Sequence, residues 1–259
     1  MHCTTAIFPE EWEHAHIYIL SDLHIGDPHA NTDDIAQKIK RIQADPVGLC
    51  VLNGDIMNTA TRNSVSDVYG ELMTPMQQLT AAVELLASIK EKIIAADAGN
   101  HERRVYKTDG VDIMRLVCRE LGREDRYAPE GVLVFLSFGN KSHYSRDGQR
   151  QTYSIYATHG TGGGRKEGAK AIRLADMSNV VDADIYIHSH THLPMLMKSS
   201  FFRVDFQNRT ARQIEKLFVN DGSSLDYGGY GQTNEFKPSS RSSPVITLNG
   251  RKREFFATI

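Results

Sequence analysis

IYILSDLHIGD, residues 17–27, decides how the rest of the chain is read. A run of β-forming residues leads into Ser21, Asp22, Leu23 and His24, so an apolar strand ends in a carboxylate and an imidazole two positions apart. The pattern recurs. VGLCVLNGD (47–55) delivers Asp55, IIAADAGNHE (93–102) delivers Asn100 and His101, and YATHG (156–160) delivers His159. IYIHSHTHLP (185–194) delivers His188, His190 and His192. In open α/β sheets, ligand sites gather at the carboxyl ends of strands. One polar strand end is commonplace, but five in one chain point to a shared site.

The segments between these strands read as helices. Asn31 to Asp34 offers N-cap chemistry and first-turn acids to a helix over Ile35–Ile42. Val68, Leu72, Met76, Leu79, Val83 and Leu86 recur at threes and fours, which predicts a helix from about Val65 to Lys92, kinked or broken at Pro75. Further helices are expected over 111–118 and 169–177. Val132–Phe138 and Thr152–Ala157 look like paired strands around a polar loop, 139–151. Beyond Pro194 only strands are expected, over 201–206, 213–219, 245–248 and 253–257, with Asn249-Gly250 as a hairpin turn. The Gly/Ser/Pro-rich stretch 221–244 reads as a surface excursion or a flap. The fold class is α/β, a sandwich with a C-terminal β layer. A single domain over 1–259 is expected, with its motif core in 17–194 and a β region in 195–259.

Composition narrows the function classes. With 259 residues, 40% apolar and 24% charged, the chain can bury a core without covalent staples. A formal net charge of -2 argues against a surface coated in positive charge for nonspecific nucleic-acid binding, though a local basic groove stays open. Cys3, Cys50 and Cys118 form no C-x-x-C pair, so neither a disulfide framework nor a thiolate zinc site is indicated. Neither a secretory signal nor a membrane span is readable, and a cytoplasmic protein is the expectation.

The donor types fit one another. Oxygen and imidazole ligands without thiolates suit Mn, Fe, Zn or Mg, with Ni and Co also possible. Asp22 and His24 can reach one ion if the chain turns at the strand end, Asp55 has two oxygens with which to bridge, and Asn100 adds a neutral carbonyl. His190 and His192 can point to one side of an extended segment. Two ions roughly 3.5–4 Å apart can hold a hydroxide and clamp the oxygens of an in-line phosphoryl displacement.

In order, SDLHIGD, NGD, GNHE, a lone HG and SHTHLP resemble the motif series of the calcineurin-like metallophosphoesterases. The resemblance implies a four-layer α/β/β/α sandwich, two mixed sheets flanked by helices. It places Asp22, His24 and His192 on one divalent ion, Asn100, His159 and His190 on a second, and Asp55 between them. It also implies that Mn²⁺ is the favoured metal, and that His101 faces the substrate phosphate and assists the leaving group. The stretch GDIMNTATRN…GNHERR looks like versions carried by phages and prophages. Two departures stand out. Ser189 occupies the first position of the usual Gly-His-x-His and an extra His188 precedes it, while alignment through Leu193-Pro194 selects His190 and His192. The protein Ser/Thr phosphatase branch has an Asp and an Arg after its second motif, where this chain has Ile56, Met57, Asn58 and Thr59. Phosphoprotein substrates are thereby disfavoured.

Candidate substrate contacts are cationic. Arg103 and Arg104 follow His101 directly, and HGTGGGRKEGAK (159–170) combines closely approachable backbone N–H groups with Arg165, Lys166 and Lys170. The expected partner is a phosphoester substrate, with a nucleotide or nucleic-acid phosphodiester favoured and no membrane involved. A phosphomonoesterase acting on a small metabolite is the alternative within the same chemistry. A catalytically silent binding or scaffold protein is the alternative in another class, and such a chain is expected to have lost ligands or the His101 equivalent.

Overall fold

Side-chain alternation along β2 (His14–Leu20) separates two cores: Ile17 and Ile19 enter one, Tyr18 and Leu20 the other. The computed structural model describes residues 1–62, 64, 68–139, 151–162 and 164–259. β3 (Gly48–Asn53) and β4 (Ile93–Asp97) continue from β2 in parallel, and the burial of both faces explains their unbroken apolar sequences. On its other side β2 pairs antiparallel with β10 (Val245–Asn249), and β10 with β11 (Phe255–Thr258). This gives a five-stranded mixed sheet in the order β11-β10-β2-β3-β4.

The second sheet has six strands, made from β1 (His2–Phe8), β5 (Val132–Phe138), β6 (Thr152–Ala157), β7 (Ile185–His188), β8 (Met195–Asp205) and β9 (Thr210–Asn220). Their order is β1-β5-β6-β7-β9-β8, with β6, β7 and β9 mutually parallel. Ile17, Ile19 and Val51 from the first sheet meet Val134, Ile155, Ile187 and Val219 from the second in a shared core. The outer face of the five-stranded sheet is covered by α1 (Thr32–Ala44), α2 (Pro75–Leu86) and α4 (Ile113–Glu120), through Ile35, Ile39, Leu79, Leu86, Met114 and Val117. α5 (Glu167–Asp176) covers the other sheet, where Leu174 packs with Tyr186 and Phe218, whose rings stack at 4.7 Å. The expected four layers and two mixed sheets are present.

Several local expectations need correction. Of the kink or break expected at Pro75 within 65–92, the break is found, and the pieces are shorter than the pattern implied. Residues 65–67 lie outside the described residues, Val68–Gly70 forms a 3₁₀ turn, α2 starts at Pro75, and Ala87–Lys92 is 3₁₀ again. Pro75 opens the helix instead of kinking it, because its missing N–H costs nothing in the first turn while Thr74 and Gln77 form a capping box. The region beyond Pro194 holds one short helix, α6 (Gly229–Thr233). Asn249-Gly250 is not a two-residue turn: Leu248 pairs with Phe255, and the Asn249 side chain accepts the N–H groups of Arg251 and Lys252 within a longer loop. The strand β1 was not foreseen, since only Thr4 and Phe8 of its seven residues are buried. The polar loop expected at 139–151 falls, over residues 140–150, outside the described residues. Among the described residues no helix is long and apolar enough to cross a membrane.

Candidate metal centre

Both sheets deliver their polar strand ends to one place, the carboxyl ends of β2, β3, β4, β6 and β7. The chain does not leave these strands in extended form. Asp22, His24, Asp55, His190 and His192 all have left-handed backbones, with φ of 49°, 51°, 50°, 63° and 53°. The left-handed pairs at 22/24 and 190/192 turn alternate side chains into the centre, so His190 and His192 converge by a tight turn and not along an extended segment. The Thr191 N–H on the Ser189 carbonyl, at 2.6 Å, closes that turn. Each non-glycine residue in this region costs on the order of 1–3 kcal/mol, which the surrounding hydrogen bonds must offset.

Glu102 supplies much of that offset. Its buried carboxylate accepts the N–H groups of Asp55 (3.0 Å), Met57 (2.9 Å) and Gly99 (2.9 Å), and so ties the loop after β3 to the start of α3 (Asn100–Asp109). Gly54 and Gly99 make this contact possible. A Cβ on Gly54 (φ +75°) would lie 2.5 Å from the Gly99 nitrogen, and one on Gly99 would lie 2.0 Å from Asp55 Oδ1. The N-terminus of α3 then points at Asp55, whose Oδ1 accepts the His101 N–H at 2.8 Å.

Three groups of donor atoms result, each lying within 4.8 Å of one another: Asp22, His24 and His192; His24, Asp55 and His101; Asp55, His159 and His190. They overlap at His24 and Asp55. Asn100 joins the third, with its Oδ1 at 3.2 Å from His159 Nε2, while Asp55 Oδ2 is also 3.2 Å from that nitrogen. His192 Nε2 is 3.0 Å from Asp22 Oδ1, and the His190 N–H donates to Asp22 Oδ2 at 3.1 Å. The structure therefore brings together Asp22, His24, Asp55, Asn100, His101, His159, His190 and His192. It does not bring His188 in: that ring lies on Asn220, Nδ1 to Oδ1 at 2.8 Å.

The electrostatics are those of buried acids held by imidazoles. Burial pushes the Asp22 carboxyl up, but His192 and His159 outweigh it and hold the group below the usual carboxylate range. Burial acts likewise on Asp55, where His159, His101 and His24 win and keep it ionised. The complement is His159. Burial disfavours its cation, yet Asp55 and Asp22 raise it to about 10, so with protein charges alone it is an imidazolium. Both its nitrogens then donate, Nδ1 to the Asn53 carbonyl at 2.8 Å. Burial lowers His24, brings His190 down to about 4, and brings His101 down to about 3 against the opposing pull of Asp55.

The donor set fits a divalent cation. Two buried carboxylates need positive charge, and His24 Nε2 is a buried nitrogen with no hydrogen-bond partner among the described residues, facing Asp22 Oδ1 at 3.8 Å. Nitrogen and oxygen donors without sulfur suit Mn, Fe, Zn or Mg.

The cations expected at the substrate divide. Arg104 is in electrostatic contact with the centre: Asp55 and Glu102 act on it, and it depresses His101. Arg103 instead donates to the Pro129 carbonyl through Nε at 3.1 Å and Nη2 at 2.5 Å, beside a cavity of about 410 Å³ lined by Tyr106, Lys107 and Tyr127. Arg165 lies over the Phe236 ring at 5.3 Å, and Lys166 is exposed at the N-cap of α5. Lys170 reaches back to the Thr191 carbonyl at 2.7 Å, so it braces the turn that carries His190 and His192.

Sequence reasoning missed the residues behind the donors. Asn53 holds the Thr158 carbonyl and Ser189, Asp97 accepts the His159 N–H, and Ser21 links Asp22 to Asp221. One usable signal was Asp97, a carboxylate inside the apolar run 93–98.

The calcineurin-like phosphoesterase family profile matches residues 17–194, more than half of the chain, and the chain belongs to that family. Among solved structures it is similar to a single mutant of Vps29 from Entamoeba histolytica, at 13% identity and TM-score 0.43, covering 91% of this chain and 87% of that one. It is also similar to an uncharacterised predicted phosphoesterase from Streptococcus pneumoniae, at 16% identity and TM-score 0.36, covering 95% and 98%. A metallophosphoesterase from Sphaerobacter thermophilus matches at 14% identity and TM-score 0.39, covering 91% and 83%. No curated protein matches the sequence.

Proposed function

We propose that the chain is a binuclear metal-dependent phosphodiesterase acting on a nucleotide or nucleic-acid phosphodiester. The observation that carries this reading is the overlap of the donor groups, with Asp55 facing His24 and His101 on one side and His159 and His190 on the other. Asp22, His24 and His192 would hold one ion, Asn100, His159 and His190 the second, and Asp55 both. Mn²⁺ is the ion favoured by the resemblance. Two such ions, when bound, supply the Lewis acidity that activates water and neutralises charge on a phosphoryl oxygen.

The protein's own groups do the rest. His101 stands at the N-terminus of α3 with Nδ1 on the Asn58 carbonyl at 2.8 Å, which leaves Nε2 facing the centre, 3.8 Å from Asp55 Oδ2. Nε2 is therefore the atom placed to donate a proton to the departing alkoxide. Arg104 adds a positive charge nearby. A diester needs less charge compensation than a monoester dianion. The diester reading is supported by Arg103 donating to the Pro129 carbonyl and not to the centre, and by Ile56 and Met57, both buried, standing after Asp55 in place of further charge.

Hydrolysis of bis(p-nitrophenyl) phosphate and of p-nitrophenyl phosphate by the manganese-loaded protein tests the proposal. A higher kcat/KM on the diester is expected. Preference for the monoester would transfer the site to the monoesterase class, and no turnover of either would favour a binding or scaffold role.

A further inference from the structure

Asn58 was not expected to matter, yet it touches two of the central histidines. It is 2% exposed. Its side-chain Oδ1 lies 3.2 Å from His24 Nδ1, and its main-chain oxygen lies 2.8 Å from His101 Nδ1. Its Nδ2 donates to Asp27 Oδ2 at 3.2 Å and to Glu71 Oε1. Glu71 is in turn held by the Gln78 amide, whose Oε1 accepts the Thr59 N–H at 2.8 Å.

Proton counting fixes every orientation in this chain. The NH₂ end of Asn58 faces the carboxyl oxygens of Asp27 and Glu71, to which it donates. Its oxygen must then face His24. An amide oxygen only accepts, so His24 must carry its hydrogen on Nδ1 and present a bare lone pair at Nε2. That nitrogen is the buried, unpartnered atom of the centre. Without Asn58 the other nitrogen would compete for the hydrogen, since Asp22 Oδ1 lies 3.8 Å from His24 Nε2. An Nε2–H tautomer cannot ligate through Nε2.

We infer that Asn58, oriented by Asp27 and Glu71, is a positioning residue that locks His24 in the Nδ1–H tautomer and so keeps Nε2 available to a metal ion. The inference rests on the proposed metal centre for its consequence, but the tautomer lock itself stands on hydrogen-bond geometry. Partners of metal-bound histidines typically change metal affinity by roughly 10–100-fold when removed.

The experiment uses the full chain labelled with ¹⁵N-histidine. Two-bond nitrogen–proton correlation spectra of the metal-free protein report the His24 tautomer, and titration with Zn²⁺, followed calorimetrically, reports affinity. The wild type is expected to show Nδ1–H at His24. Asn58→Leu, which keeps the volume and removes the acceptor, is expected to shift His24 towards Nε2–H and to weaken the His24 ion by roughly 10–100-fold. Asn58→Asp, which keeps an acceptor oxygen towards His24 but turns its other oxygen onto Asp27 and Glu71, is expected to restore the Nδ1–H tautomer and only part of the affinity. Nε2–H at His24 in the wild type overturns the inference with no variant needed, as does unchanged Zn²⁺ affinity in Asn58→Leu. If Asn58→Leu does not fold, the wild-type tautomer and Asn58→Asp still decide. A wild type that holds Nδ1–H but binds no metal would overturn the proposed function and leave the tautomer lock standing.

Discussion

Replacing Glu102 tests how the centre is held in shape. Its two carboxylate oxygens serve three buried backbone donors: Oε2 takes the Asp55 and Gly99 N–H groups, and Oε1 takes that of Met57. A buried hydrogen bond contributes roughly 0.5–1.5 kcal/mol, and a buried donor left unpaired costs about 1–3 kcal/mol. Glu102→Gln can keep its oxygen towards Asp55 and Gly99, but it then aims an NH₂ at the Met57 N–H. One bond is lost and one donor is stranded, for a destabilisation of roughly 2–4 kcal/mol while neither side chain is charged. Glu102→Ala strands all three donors and should cost more, at a site where Asp55 already carries left-handed strain. The assay is urea unfolding at pH 6, below the value of about 7 to which burial and Asp55 push the Glu102 carboxyl, so that the cost of burying its charge, which Gln does not bear, stays out of the comparison. Manganese content of the purified variant is the second readout. A Glu102→Gln protein within about 1 kcal/mol of wild type and with full metal content would refute the bracing role.

Three other outcomes follow from the same geometry. Asp55→Asn should lose both metal and hydrolysis, whereas His101→Ala should lose most hydrolysis and keep its metal; metal analysis beside the diester assay separates them, and loss of ions from His101→Ala would contradict its assigned place. Gly99→Ala puts a Cβ 2.0 Å from Asp55 Oδ1 and 2.4 Å from the Asp55 main-chain nitrogen, so it should lower both the melting temperature and the Mn²⁺ affinity, which a melting curve and calorimetric titration will show; an unchanged melting temperature would contradict the close approach. Asp221 gives a pH signature. Burial raises its carboxyl from 3.8 to about 7, with the Lys38 charge and then Ser243 and Ser21 pulling the other way. A raised acid favours the fold while protonated in both states, below pH 4, and that contribution, roughly 4 kcal/mol at most, is lost as pH rises through about 7. Asp221→Asn stays neutral, so its melting temperature should gain on wild type between pH 5 and pH 8; a gap that does not widen removes the argument.

The donors were legible because each sits where an apolar run stops, a pattern that is local in sequence. The braces were not. Asn58, Glu102, Asp97 and Asp221 act through partners that the fold brings near, and nothing local marks an asparagine as a hydrogen-bond acceptor for His24. Arg103 and Arg165 looked like phosphate contacts on charge alone, while Pro129 and Phe236 decide where they lie. Backbone shape was equally hidden. The spacing of His190 and His192 fits an extended segment as well as the left-handed turn that the structure adopts. The strand β1 escaped because an edge strand with few buried residues has a weak apolar pattern, and Pro75 misled because a proline at the first turn of a helix and one inside it look alike in sequence.

Anomalous diffraction from crystals of the manganese-loaded protein tests the central claim most directly. Two peaks roughly 3.5–4 Å apart are predicted, both within coordination distance of Asp55, one beside Asp22, His24 and His192 and the other beside Asn100, His159 and His190. A single peak, or ions bound away from Asp55, would contradict a two-metal phosphoesterase centre.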